Sequence, residues 1–221
     1  MSRASFLERC SSSTAARLFT DEGARFLMTE ANATALLVGH IQPPVSHLPG
    51  DDAEYCRGLQ TLLSGARNRG VLVIYVNVGF LPGYPEIPAG SAIRDELAPH
   101  GIFIDGVSNA VDERVAPLDG DISIVSPGPD IFARSTLASI LRAKEISSIA
   151  VVGISTGGVV NGMVVGAYSE GLDVVVLKDL CFDPAGDDQD ALFSAFVRPW
   201  GASITTSNEW LDAVKPAGTA L

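Results

Sequence analysis

Histidine is scarce in this chain: three in 221 residues, His40, His47 and His100, with none after residue 100. Histidine chemistry must therefore be staged from the first half of the sequence. Cysteine is as sparse, with Cys10, Cys56 and Cys181 widely spaced and no CxxC pair. That excludes a disulfide framework and a cysteine zinc site, and it suits reduced thiols in a cytoplasmic protein. Positive charge is short, 15 Lys plus Arg against 26 Asp plus Glu, for a net charge of −11. Nucleic acid and anionic membrane both call for a basic surface, so neither is expected as a partner. No apolar run approaches the roughly 18 residues of a membrane span. The first 20 residues carry Ser and Arg without a continuous apolar core, so no signal peptide is read there.

What the chain has is apolar mass: 47% of its residues are hydrophobic and 19% charged. That is ample for a packed core, and the length fits one domain over 1–221. Short β-branched blocks alternate with helix-like stretches. The blocks at 34–38 (TALLV), 71–78 (VLVIYVNV), 122–125, 149–152 (IAVV) and 174–177 (VVVL) are near-continuous apolar runs. Such runs fit strands buried on both faces of a parallel sheet. Residues 202–206 (ASITT) supply a sixth strand. Helical stretches are expected at 51–69, 135–144, 157–170 and 187–197, with Asp51 and Asp52 at one helix start and Gly70 past its end. The alternation predicts an α/β fold, a three-layer, Rossmann-like doubly wound sheet of about six parallel strands. Residues 1–30 read as an N-terminal helical extension, 79–120 as a proline-rich excursion loop and 211–221 as a frayed tail.

Ligands in such folds sit beyond the carboxyl ends of the strands. Residues 153–157 (GISTG) match the G-x-S-x-G elbow at a strand-to-helix turn. A hydrolase triad on Ser155 needs a later histidine, and none exists; the glycines also explain themselves as a tight turn. The turn after the first strand, GHIQPP at 39–44, lacks G-x-G-x-x-G, so no dinucleotide cofactor is expected. His47 with Asp51 and Asp52 is the nearest approach to a metal site, and a solvated helix start explains it more simply, so no metal is expected. Cys181 is read as a small buried hydrophobe. His40 stands apart. It directly follows a buried strand, beside Gln42, with an ordinary pKa near 6.5 that suits proton transfer; a histidine merely hydrogen-bonded at a strand end is the other reading.

Five segments in series resemble the isochorismatase-like, or cysteine hydrolase, superfamily over about residues 33–206. Residues 35–42 (ALLVGHIQ) are similar to its opening strand, which usually ends D-x-Q. Residues 78–86 (VGFLPGYPE) resemble an R-P-G-Y-P-E loop, and 131–137 (IFARSTL) resemble S-A-F-x-x-T-x-L. Residues 153–160 (GISTGGVV) resemble the G-[IV]-x-T-x-x-[CV]-V turn, and 177–183 (LKDLCFD) end in D-x-C-x-D. The resemblance implies a six-stranded parallel sheet, assembly as homodimers or homotetramers, and a catalytic Asp, Lys and Cys. Those three positions hold His40, Ser126 and Val159. Valine has no lone pair, so an acyl-enzyme on residue 159 is chemically impossible. The resemblance also implies a cis peptide at Ile154–Ser155 and an oxyanion hole from the amides of Ser155 and Val159.

Two functions follow as expectations. One is an enzyme of small-molecule metabolism using thiol-free acid–base chemistry, of hydrolase or lyase/cyclase type, on a small carbonyl or carboxylate substrate. His40 and Ser155 would be its catalytic residues, with Gln42, Asn77, Tyr84, Ser126, Asp130, Phe132, Arg134 and Val159 around the substrate. The other is a catalytically silent pseudoenzyme that binds a ligand or partner.

Overall fold

The computed structural model describes residues 33–186 and 188–216. The expected helical extension at 1–30 lies outside the described residues. One sheet of six parallel strands runs in the order β3-β2-β1-β4-β5-β6. The strands are β1 (Thr34–Gly39), β2 (Leu72–Val78), β3 (Ile122–Ser126), β4 (Ser148–Ile154), β5 (Asp173–Phe182) and β6 (Ser203–Thr205). The helices are α1 (Pro43–Ser46), α2 (Asp52–Asn68), α3 (Ala92–Leu97), α4 (Ile131–Arg134), α5 (Leu137–Ala143), α6 (Asn161–Glu170), α7 (Gln189–Val197) and α8 (Ser207–Ala213).

Alternate side chains of each central strand enter different cores, as the two-residue period of a strand requires. Leu36, Val38, Tyr75, Ala150, Val152 and Leu177 face α2 and α8, where they meet Leu59, Leu62, Leu63 and Trp210. Ala35, Leu37, Ile74, Val76, Val151 and Val176 face the other layer and meet Leu141 of α5, Met163 and Val164 of α6 and Phe196 of α7. Helix α2 repeats apolar residues at 55, 56, 59, 62, 63 and 66, a stripe of helical spacing that is buried along its length. Each of its three leucines, almost fully buried, contributes roughly 2 kcal/mol by burial. The Asp51 carboxylate caps this helix by accepting from the Glu54 amide at 2.8 Å.

Two expectations are corrected. The stretch 79–120 is not a plain loop: it holds α3 and short 3-10 turns, and Phe80, Tyr84, Ile87, Leu97 and Phe103 form a small core of their own. The tail does not begin at 211. Helix α8 runs to Ala213 behind a Thr206–Glu209 capping box, and Leu211 and Val214 are buried against α2; residues 217–221 lie outside the described residues.

Candidate active site

The strand order reverses between β1 and β4. Their carboxyl ends run side by side, with Gly39 opposite Gly153 in register. In parallel α/β sheets this switch point opens a crevice, and here it holds a cavity of about 470 Å3. Its floor is His40 after β1 and Ile154, Ser155, Gly158 and Val159 at the turn after β4. The 79–120 excursion closes over it, contributing Phe80, Glu86, Ile87, Ile93, Leu97 and Phe103. The segment after β3 adds Pro127, Gly128 and Pro129, and Arg134 stands at the end of α4. The wall is mainly apolar.

His40 adopts a left-handed backbone conformation, φ 54°, and its amide donates to the Val76 carbonyl at 2.8 Å. Its Nε2 is buried and finds no hydrogen-bond partner among the described residues. The histidine tied down at a strand end, one of the two readings open from sequence, is therefore not what the structure holds at Nε2. Desolvation disfavours the imidazolium and pushes the pKa down to about 4. Near neutral pH the ring is an uncharged proton acceptor, far from the value near 6.5 expected from sequence.

After β4 the chain makes a π-helical turn, Thr156–Val160, before α6. The Ile154–Ser155 peptide is cis. Ser155 Oγ accepts the Gly158 amide at 3.1 Å, so the hydroxyl serves as the cap of this turn. Asp183, at the end of β5, accepts the Gly157 amide at 2.6 Å through Oδ2 and the Ala185 amide at 3.1 Å through Oδ1. Asp183 thus sets the turn's position, a role its place in the D-x-C-x-D segment did not reveal. Val159 is 1% exposed and packs toward Gly39.

Six residues expected around the substrate turn elsewhere. Gln42 is fully buried: Nε2 donates to the carbonyls of Val78 and Asn109 and Oε1 accepts the Val78 amide, all at 2.9 Å. Two of these bonds hold the end of β2 and the third holds the excursion. Asn77 is buried and absent from the cavity wall, because the strand period places it on the α2 side with Tyr75. The Tyr84 hydroxyl donates to the Ile102 carbonyl at 2.8 Å, inside the excursion's core. Ser126 is sealed in, donating to the Gly128 carbonyl at 3.0 Å. Asp130 caps α4 by accepting the Ala133 amide at 3.4 Å. Phe132 lies over Gly166, where α4 approaches the backbone of α6 too closely for a Cβ. Asp130 and Phe132 line a neighbouring hollow along α6. His40, Arg134, Ser155 and Val159 do come together on the main cavity.

Other candidate nucleophiles and ligands are committed. Cys181 is buried, and burial pushes its thiol up to about 12. His47 and Arg114 both engage Asp52, at 2.7 and 2.9 Å, while Asp51 caps α2. Among the described residues no group of three His, Cys, Asp or Glu is gathered that could hold a metal ion, and no helix is long and apolar enough to cross a membrane. Glu86 ends the 78–86 segment singled out from sequence, where no role was expected of it; the apolar wall was not expected, and its signal was the row of large apolar residues, Phe80, Ile87 and Leu97, within a proline-rich stretch.

Comparison with known proteins places these features in a lineage. The Isochorismatase domain matches residues 34–209. A maleamate amidohydrolase of Pseudomonas putida is 26% identical over 145 residues, covering 65% of this chain and 67% of that protein. A ureidoacrylate amidohydrolase of Cronobacter turicensis is 25% identical over 185 residues, covering 76% and 78%. The crystal structure of a cysteine hydrolase from Pseudomonas syringae pv. phaseolicola superposes with a TM-score of 0.75 at 20% identity, covering 88% of this chain and 98% of that one.

Proposed function

Since the chain belongs to the isochorismatase family, we propose that it is a hydrolase of small carbonyl compounds, amides or ureides first among them, that works without a thiol. The observation that carries this reading is the placement of His40 on the floor of an open cavity of about 470 Å3, on the same wall as the Ser155–Val159 turn. Two relatives hydrolyse carbon–nitrogen bonds by name, maleamate and ureidoacrylate amidohydrolase, and their chemistry supports the reaction class.

Val159 cannot form an acyl-enzyme, so water attacks the carbonyl directly. Neutral His40 takes a proton from that water as its oxygen bonds to the carbonyl carbon. The π electrons move to the carbonyl oxygen, which the Ser155 and Val159 amides and the positive end of the turn stabilise. Collapse restores the C=O bond and breaks C–N, and the departing nitrogen takes the proton from the imidazolium. A base with a pKa near 4 is weak, but its conjugate acid is a strong donor to the leaving amine. The same reading takes the protein as a cytoplasmic homodimer or homotetramer without cofactor, the assembly to be checked by sedimentation.

The test is turnover of maleamate, ureidoacrylate and a panel of primary amides by the wild type and by His40→Ala and His40→Gln. Loss of general-base catalysis should lower kcat by about 100-fold or more in both variants. Equal rates in all three proteins would remove His40 from the mechanism. A folded wild type inert toward the whole panel would overturn the proposed hydrolase.

A further inference from the structure

Glu86 enters the cavity from the excursion, far in sequence from the other polar groups of the wall. The chain reverses just before it, through Gly83 (φ 82°) and Tyr84 (φ 55°). That reversal lets Glu86 Oε1 accept the Leu81 amide at 2.9 Å. One carboxylate oxygen is thereby fixed and the plane of the group with it. The other oxygen, Oε2, is buried and finds no hydrogen-bond partner among the described residues.

The nearby cations do not neutralise it. Arg94 spends its guanidinium on the carbonyls of Ile87 and Gly83, at 3.0 and 2.8 Å. Arg134 donates to the Pro127 carbonyl at 3.3 Å, and no ion pair involving Glu86 occurs among the described residues. An ionised carboxylate only accepts hydrogen bonds. Leaving such an acceptor unmet beside apolar side chains is costly, and a guest that donates to it recovers the cost.

We propose that Glu86 selects the guest of this cavity: Oε2 receives an N–H or ammonium hydrogen, while Phe80, Ile93, Leu97 and Phe103 receive an apolar body. The substrate class is then an aromatic or branched aliphatic molecule bearing a primary amide, amidine, ureide or amine, and simple carboxylates are rejected. This inference rests on reading the cavity as the site that binds substrate. It assigns Glu86 to specificity, apart from the proton transfer given to His40.

Benzamidine, benzamide and benzoate share one ring and differ in the group offered to Glu86. Their dissociation constants are to be measured on the whole chain by amide-resolved NMR titration, for wild type, Glu86→Gln and Glu86→Met. Glutamine keeps the Leu81 bond through Oε1 and replaces the free acceptor with a donor. Methionine removes both at similar length, which covers the case of one variant failing to fold. The wild type should bind benzamidine at least about tenfold more tightly than benzoate, as a charge-assisted hydrogen bond implies. The preference should persist at about 1 M salt, where the Debye length is about 3 Å and the general −11 charge is screened. Either variant should erase most of the ratio, and benzoate should gain in Glu86→Gln.

If the probes shift the amides of Ser155, Gly158 and Val159 but the ratio is unchanged in the variants, the role of Glu86 is overturned and the cavity remains a guest site. If no probe shifts those amides in any protein, both the inference and the reading beneath it are overturned.

Discussion

A Cβ placed on Gly153 would stand 2.5 Å from the carbonyl oxygen of Gly39, the residue opposite it across the β1–β4 boundary. The two strands close to backbone contact immediately before His40 on one side and Ser155 on the other. Gly153 also has φ 154°, outside the range that residues with a side chain favour. Gly153→Ala should therefore lose more than about 2 kcal/mol of stability. The urea midpoint should fall at unchanged slope, and the folded fraction should bind cavity probes more weakly because the floor has spread.

His40 gives two readings of one pKa. If it is the base in the free enzyme, kcat/KM should rise with pH through about 4 and stay level through neutrality, with no inflection near 6.5. Stability follows the same group. The unfolded chain binds the proton between pH 6.5 and 4 while the folded chain does not, so wild-type stability should fall as pH is lowered across that window. His40→Gln should lack this part of the fall, a difference reaching about 3 kcal/mol near pH 4. Chemical denaturation at several pH values measures it.

The fold was legible because the central strands β1, β2 and β4 are rich in aliphatic residues and buried on both faces, so their composition alone marked them. β1 through β6 lie within a few residues of the expected blocks at both ends, except that β5 runs on to Phe182. The site was legible only where a residue's place on the chain decides its exposure. His40 and Ser155 follow strands at the switch point, and any parallel sheet would present them there. Gln42 and Tyr84 are polar residues in the right segments, but their partners are carbonyls distant in sequence, and no local pattern announces those bonds; Ser126 turns instead to the nearby Gly128 carbonyl and is sealed in. Glu86 and the apolar wall depend on how the excursion packs back over the sheet, which is likewise a long-range matter.

Val159 permits a test of whether a thiol alone at this turn would start covalent chemistry. Val159→Cys is close to isosteric and should cost less than about 1.5 kcal/mol. The new thiol would sit where the valine is 1% exposed, and desolvation there favours its neutral form. No lysine is among the described residues that line the cavity, and the nearby Ser126 hydroxyl is committed to the Gly128 carbonyl. Turnover should stay within about threefold of wild type, with no burst of product in the first cycle. Alkylation of residue 159 by iodoacetamide, followed by mass spectrometry, should be slow at neutral pH and accelerate as pH rises. A burst would show that the remaining groups can still activate a nucleophile.

Asp112 holds the loop that carries His40, although it lies 72 residues away in sequence. It is 3% exposed. Its Oδ2 accepts from Ser46 Oγ at 2.6 Å and from Arg114 at 2.7 Å, and its Oδ1 accepts from Arg114 Nε at 2.9 Å. Its amide donates to the Ile41 carbonyl at 2.9 Å. The Arg114 guanidinium, helped by Ser46 and opposed by desolvation, holds the carboxyl well below the usual carboxylate range. A carboxyl depressed in the folded state stabilises the fold above its unfolded pKa near 4 and loses that contribution as pH falls further. Asp112→Asn leaves Arg114 facing a neutral amide and should cost about 3 kcal/mol at neutral pH. The gap from wild type should be full above pH 4 and narrow only below it, the reverse of His40→Gln, whose effect grows between pH 6.5 and 4. If Asp112 positions the catalytic loop, the folded variant should also show a raised KM and a shifted acid limb in kcat/KM; a destabilised protein with an unchanged profile would confine Asp112 to stability.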